Sequence, residues 1–83
     1  MKVTLKFFAS IREAIGQSQE IRETSATTLG QLRSELLAAG APHADSLGRD
    51  RAVRMALNQV MSDESAPLTD GCEVAFFPPV TGG

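Results

Sequence analysis

The stretch from Thr28 to Leu37, TLGQLRSELL, predicts the one long helix of this 83-residue chain. Its leucines recur at helical spacing and form one apolar stripe: Leu29, Leu32 and Leu36, with Leu37 beside it. The polar residues between them are expected to face water: Arg33, Ser34 and Glu35. The Thr28 hydroxyl can cap the first turn, and Gln31 stands three residues on, as a capping box requires. Gly40 and then Pro42 are expected to end the helix.

On either side of this helix, segments alternate apolar and polar residues, which is typical of strands with one buried face. We expect strands at Met1–Phe8, Gln19–Thr24, Arg51–Asn58 and Cys72–Phe77, with a short edge strand at Val60-Met61. The inward residues of the clearest three are Val3, Leu5, Phe7, Val53, Met55, Leu57, Cys72, Val74 and Phe76. One helix covering one face of such a sheet is an economical way to bury these stripes, so the pattern predicts an α+β roll.

The connections between these elements contain ordinary stop and turn signals. Ala9–Ile15 is compatible with a short helix that Gly16 ends, and the polar residues after it would let the first two strands form a hairpin-like pair. Ala41–Asp50 is a connector with room for one helical turn. Turns are expected near Asn58-Gln59 and at Leu68–Gly71, where Asp-Gly chemistry favours them.

The composition excludes several classes of function. Eight Lys and Arg residues against ten Asp and Glu residues give a net charge of −2, the wrong sign for binding nucleic acid through its phosphates. Cys72 is the only cysteine and His43 the only histidine, so an internal disulfide and a Cys/His zinc site are excluded. No apolar run approaches the roughly 20 residues of a membrane span, and no secretory signal is present. We therefore expect a cytoplasmic protein.

Several apolar residues fall on the sheet face that points away from the helix: Phe8, Ala56, Ala75 and Phe77, with Met61 in a less certain register. An exposed apolar cluster of this size predicts a surface for docking a partner protein. Two alternatives stay open at this stage. In the first, a single-residue slip reverses the faces of one strand; in the second, a loop covers the cluster.

The end of the chain, FFPPVTGG, predicts a stiff exit from the sheet followed by a slim tip. Two prolines prevent further ladder hydrogen bonds, and the final glycines can enter a slot too narrow for a side chain. The six residues from Pro78 reach about 19 Å when extended at roughly 3.1 Å per residue. We therefore divide the chain into a domain at 1–77 and a tail at 78–83, which is Pro78, Pro79, Val80, Thr81, Gly82 and Gly83.

Other residues carry weaker functional hypotheses. Cys72 and His43 would make a nucleophile and base, but the pattern favours a buried Cys72 and a solvated His43. Arg49, Arg51 and Arg54 form a basic group that either faces water or meets an acidic partner. Arg12 either contacts a partner or pairs near Glu13.

The stretch LTDGCEVAFFPPVTGG closely resembles the C-terminal signature of the sulfur-carrying small subunits of molybdopterin synthase, in the ubiquitin-like MoaD/ThiS family. The opening KFFASIREAIG and the central ALNQ fit the same family in order and spacing. The resemblance implies a β-grasp fold with a mixed sheet of four or five strands, one main helix and a flexible Gly-Gly tail. Cys72, where an acidic residue is common, and Thr81, where a small residue is usual, depart from the pattern without touching the Gly-Gly end.

The resemblance also implies a chemistry for Gly83. An activating enzyme would use ATP to adenylate its carboxylate, and a donor of the rhodanese or cysteine desulfurase type would convert it to a thiocarboxylate. The large subunit of a heterotetrameric synthase would then pass this sulfur to a pyranopterin precursor. No cofactor would be bound permanently, and the chain would have no active site of its own. The alternatives are a sulfur carrier for thiamin or tRNA thiolation, and a ubiquitin-like modifier or adaptor.

Overall fold

A computed structural model of the chain describes residues 1–79. Within them the secondary structure follows the order β1 (Lys2–Phe7), α1 (Ala9–Ile15), β2 (Gln19–Glu23), α2 (Leu29–Ala38), α3 (His43–Leu47), β3 (Arg54–Leu57), β4 (Val60–Ser62) and β5 (Glu73–Phe77). Every predicted strand and helix is present, and the connector after α2 contains the helix α3. Residues 80–83 of the predicted tail lie outside the described residues.

The strands form one mixed sheet in the order β2-β1-β5-β3-β4. β1 and β5 are parallel, whereas β1 with β2, β3 with β5 and β3 with β4 are antiparallel. The predicted α+β roll and the hairpin-like pairing of the first two strands are therefore confirmed. β5, the last strand in sequence, occupies the middle of the sheet.

The leucine stripe of α2 packs on the inward face of this sheet. Leu29, Leu32 and Leu36 are completely buried. They join a single core whose other fully buried members are Val3, Leu5, Phe7, Leu47, Val74 and Phe76. Leu47 comes from α3, so the connector contributes to the core as well as linking α2 to β3.

The start of α2 is capped nearly as predicted. The Thr28 hydroxyl accepts a hydrogen bond from the Gln31 N–H at 3.2 Å. The Gln31 side chain does not return to Thr28, however, but accepts from the N–H and hydroxyl of Thr27 at 2.8 and 2.9 Å. The Thr28 hydroxyl therefore satisfies one orphan N–H of the helix start, and the Gln31 side chain ties the residue before the cap to the first turn.

β3 begins at Arg54, three residues later than predicted. Its first pairing partner is Phe77, the last residue of β5. Beyond Phe77 the chain continues with Pro78 and Pro79, which have no N–H to donate to a ladder. Residues 51–53 therefore have no strand beside them to pair with, and the Arg51 N–H instead closes a turn on the Gly48 carbonyl at 2.9 Å.

The prediction that Arg33 faces water is wrong, because α3 packs against that side of α2. Arg33 is only 5% exposed. Its Nε and Nη2 atoms donate to the carbonyl oxygens of Leu47 and Gly48 at 2.7 and 2.9 Å, and Nη1 donates to Glu64 at 3.3 Å. The guanidinium thus bonds carbonyls that the end of α3 leaves without helical partners.

Candidate functional site

The predicted tail leaves the sheet from its central strand. β5 ends at Phe77, and Pro78 and Pro79, which we call the tail root, follow in a half-buried position outside any strand. Pro78 lines a groove together with residues of α1, α3 and the segment before β3. The remaining predicted tail residues, Val80, Thr81, Gly82 and Gly83, lie outside the described residues.

Two aromatic rings lie on the outward sheet face immediately before the tail root. Phe8 is 46% exposed and Phe77 is half-buried. Their ring centroids are 6.4 Å apart with the planes at 82°, an edge-to-face arrangement. The Phe8 N–H donates to the Phe76 carbonyl at 3.2 Å, which extends the pairing of β1 with β5 and sets the two rings side by side.

Three further residues continue this face across β5, β3 and β4. Ala75 pairs with Ala56, and Ala56 pairs with Met61. Met61 is 55% exposed. We call the five residues Phe8, Ala56, Met61, Ala75 and Phe77 the docking face. Because they share one face and the exposed ones lie open within the part of the chain described, neither a reversed strand nor a covering loop accounts for them.

The expectation that the two alanines are themselves exposed is wrong. Ala56 and Ala75 are only 7% and 6% exposed. Each has a longer neighbour in the sheet: Lys6 pairs with Ala75, and Met61 pairs with Ala56. The alanines therefore form the floor of the docking face, and the aromatic rings and Met61 project from it.

Charged groups border the docking face. Lys6 and Glu73 form an ion pair at 3.6 Å beside Ala75. Arg54 is exposed and pairs with Phe77 in the sheet. Alternation along β3 puts Arg54 on the outward face. Its nearness in sequence to Arg49 and Arg51 does not indicate that it lies beside the aromatic rings, which depends on the pairing with Phe77.

The three arginines of the predicted basic group do not form one surface. Arg49 donates to Glu64, to the Ser34 hydroxyl and to the Gly30 carbonyl, so it ties the segment before β3 to α2. The hydrogen bonds and charge of Arg49, aided by Arg33, hold the pKa of Glu64 below its ordinary value. Arg51 and Arg54 are exposed, as is Arg12 on α1.

The structure separates the candidate nucleophile from the candidate base. Cys72 is buried at 3% exposure, and its carbonyl accepts from the Thr4 N–H at 2.9 Å. His43 packs its ring against Phe7 and places Nε2 2.9 Å from Glu20 Oε1. Thr4 and Phe7 are three positions apart on β1, about 10 Å at strand spacing, so Cys72 and His43 do not form a pair.

His43 is also less solvated than expected. Its side chain is only 13% exposed, because it is enclosed by β1 and β2 at the start of α3. Within residues 1–79, no three His, Cys, Asp or Glu side chains gather in a way that could hold a metal ion. In the same part of the chain, no helix has the length and hydropathy needed to cross a membrane.

Known proteins that resemble this chain over nearly its full length share one description. The molybdopterin synthase sulfur carrier subunit of Escherichia coli K12 is 40% identical over 81 residues, covering 98% of this chain and 99% of the relative. One chain in the complex of subunits 1 and 2 of molybdopterin-converting factor from Helicobacter pylori is a structural match at 30% identity. Its TM-score is 0.71, with complete coverage of both chains.

SAMP1 from Haloferax volcanii is 24% identical with a TM-score of 0.78, and all of each chain is covered. At this identity the likeness shows the fold alone, which is the ubiquitin-like β-grasp. A model of the ThiS family matches residues 5–83. Because this match spans nearly the whole chain and agrees with the full-length relatives, the chain belongs to the ThiS family.

Proposed function

We propose that this chain is the sulfur carrier subunit of a molybdopterin synthase and serves molybdenum cofactor biosynthesis. The observation that carries the proposal is the full-length likeness to sulfur carrier subunits, at 35–40% identity in three bacteria. The structure supports it, because the central strand β5 leads directly to the tail root beside an exposed aromatic pair.

The chemistry takes place at Gly83. A terminal carboxylate has an ordinary pKa of about 3.5, so it is ionised and unreactive toward sulfur nucleophiles in the cytoplasm. Its oxygen attacks the α-phosphate of ATP in an activating enzyme, releasing pyrophosphate and forming an acyl-adenylate. The terminal sulfur of a persulfide on a rhodanese or cysteine desulfurase type donor then attacks the acyl-adenylate and displaces AMP, forming an acyl disulfide. A second thiol cleaves its S–S bond, which leaves the thiocarboxylate on Gly83 and a disulfide on the thiol side. That sulfur attacks the pyranopterin precursor, and water then cleaves the bond between the Gly83 carbonyl carbon and the sulfur, which regenerates the carboxylate. Two carriers supply the two dithiolene sulfurs.

The partners supply the acid and base groups for these steps. Cys72 is buried and His43 is held by Glu20, so neither side chain is free to act near the tail root. The role of the folded domain is to bind each partner through the docking face while the tail, residues 78–83, reaches the reaction centre. The complex of subunits 1 and 2 from Helicobacter pylori supports a large subunit as one such partner. We further propose a heterotetramer of two carriers on a dimeric large subunit.

The test is an intact-mass measurement after incubation with the activating enzyme, ATP and a sulfur source. We expect a mass gain equal to the exchange of one oxygen for one sulfur. Deleting Gly83, or adding one residue after it, should abolish the gain without unfolding the domain, and Cys72→Ala is the control that should load normally. Loading that survives a blocked terminus but fails in Cys72→Ala would contradict the proposal, and isopeptide-linked adducts in cells would instead indicate a modifier.

A further inference from the structure

An exposed cation, Arg54, lies directly beside the apolar groups of the docking face. Arg54 pairs with Phe77 across β3 and β5. Ala56 lies two residues further along β3 on the same face, and it pairs with Met61. Arg54 and Met61 also line one depression in the surface. Arg54 therefore lies at the corner of the docking face, next to Phe77 and diagonal to Met61.

The carboxylates nearest to this face are engaged elsewhere. Glu73 forms its ion pair with Lys6. Asp63, which follows β4 on the side next to Arg54, accepts hydrogen bonds from the N–H and the hydroxyl of Ser65. Within residues 1–79 the Arg54 guanidinium forms no ion pair.

This placement restricts what can dock. A protein that covers both Phe77 and Met61 also comes against Arg54, and a guanidinium removed from water without a counter-charge is strongly unfavourable. A carboxylate offsets that cost best, because its two oxygens accept parallel hydrogen bonds from the guanidinium fork. An apolar or basic surface in the same place would be rejected.

We propose that the large subunit that docks on this face carries an Asp or Glu side chain opposite Arg54, and that this ion pair determines which protein the face accepts. The inference rests on the proposed function for the identity of the partner. It adds a charged specificity contact to a surface that is otherwise apolar.

The test measures the affinity of the large subunit from the same organism for this chain at two salt concentrations. Arg54→Met keeps an apolar side chain of similar length and removes the charge. We expect it to bind at least about 30-fold more weakly, because a partner carboxylate is left buried and unpaired, and to show a smaller dependence on salt. Arg51→Met is the matched control. Because Arg51 shares a groove with the tail root Pro78, a second control is Lys2→Met, which removes an exposed cation at the opposite end of β1 from the aromatic rings. Lys2→Met should bind as the wild type does.

The opposite result has an equally clear meaning. If no carboxylate faces Arg54, Arg54→Met extends the apolar surface and removes an uncompensated charge, so binding should be equal or tighter, which would overturn the proposal. In the supporting case, a large subunit with Lys in place of its acidic residue should recover binding to Arg54→Glu. If no replacement of an Asp or Glu of the large subunit by Lys recovers binding to Arg54→Glu, the proposal is also overturned.

Phe77→Ser separates this inference from the proposed function. Weaker binding by Phe77→Ser together with unchanged binding by Arg54→Met would leave the docking face in place and remove only the ion pair. If the wild-type chain gains no sulfur at Gly83, the proposed function is contradicted, whatever the binding of Arg54→Met. A dimer of this chain alone that Phe77→Ser dissociates would assign the face to a second copy and overturn the proposal.

Discussion

Arg33 holds α3 against α2 with hydrogen bonds to backbone carbonyls at the end of α3. Its guanidinium donates to the Leu47 and Gly48 carbonyls from a buried position, and burial lowers the pKa of Arg33 from its ordinary value. We expect Arg33→Met to lower the free energy of unfolding by about 2–4 kcal/mol, because the buried Leu47 carbonyl loses its donor and the bonds to Gly48 and Glu64 are lost as well. Urea unfolding measures this. Arg12→Met, at an exposed arginine on α1, is the control, and equal losses in both variants would contradict the assigned role.

Spacing in the sequence was sufficient to predict burial for residues whose neighbours lie on the same element. Leu29, Leu32 and Leu36 share a stripe and are buried as predicted. The predictions for Arg33 and Ala75 were wrong because their burial depends on other elements: α3 covers Arg33, and the Lys6 side chain stands beside Ala75. Periodicity identifies the face of a residue but not the length of the side chains that flank it.

Gly82 belongs to the tip that the proposed function threads into a partner, where a Cβ risks a steric clash. We expect Gly82→Ala and Gly82→Val to leave the melting temperature unchanged and to slow adenylation or sulfur transfer, more for valine. A displacement of about 1 Å at a reacting atom can cost about a hundredfold in rate. Single-turnover rates of each step, with partner affinity measured in parallel, check this. Equal rates in all three proteins would show that the tip is not confined.

At the scale of elements, an ion network ties β2 to α2. Glu35 accepts from Arg22 Nε at 2.9 Å and from the Thr24 hydroxyl at 2.7 Å. Burial alone would raise the pKa of Glu35, but these hydrogen bonds and the charge of Arg22 outweigh it, so the pKa lies below its ordinary value. The network also explains the weak alternation of β2, since Arg22 on its inward side meets Glu35 instead of the apolar core.

This network predicts a pH dependence of stability. Because the pKa of Glu35 is lower in the folded protein than in the unfolded chain, its contribution is complete above the unfolded value of about 4.3 and disappears as the pH falls through the folded value. Between about pH 5 and about pH 3, a range that spans the ordinary pKa of Glu, we expect the urea midpoint of the wild type to fall by more than that of Glu35→Gln. An equal fall of the urea midpoint with pH in the wild type and Glu35→Gln would contradict the assignment.

The elements themselves were largely predictable, and their ends were not. The turn at Asn58-Gln59 is where the sequence placed it, with positive φ at both residues, as a two-residue hairpin between β3 and β4 requires. The late start of β3 could not be predicted from residues 51–53 alone. It depends on β5 ending at Phe77, and that pairing joins distant parts of the chain.

At the scale of the whole molecule, a single docking face beside the tail root requires partners to take turns. If the activating enzyme and the large subunit both use Phe8 and Phe77, the carrier must leave one before it binds the other. We expect Phe8→Ser or Phe77→Ser to weaken both complexes by about 1–3 kcal/mol. An equilibrium titration with both partners present should show competition. A stable ternary complex would contradict a shared face.

The central position of β5 also has a mechanical consequence. If a partner holds the tail as the proposed function requires, separation of the two proteins pulls on the domain along β5, which is bonded to β1 on one side and β3 on the other. The load acts in shear, so the backbone hydrogen bonds of both ladders resist it together and cannot open one at a time, as they would if an edge strand were peeled away. The carrier can therefore be withdrawn by its tail without unravelling.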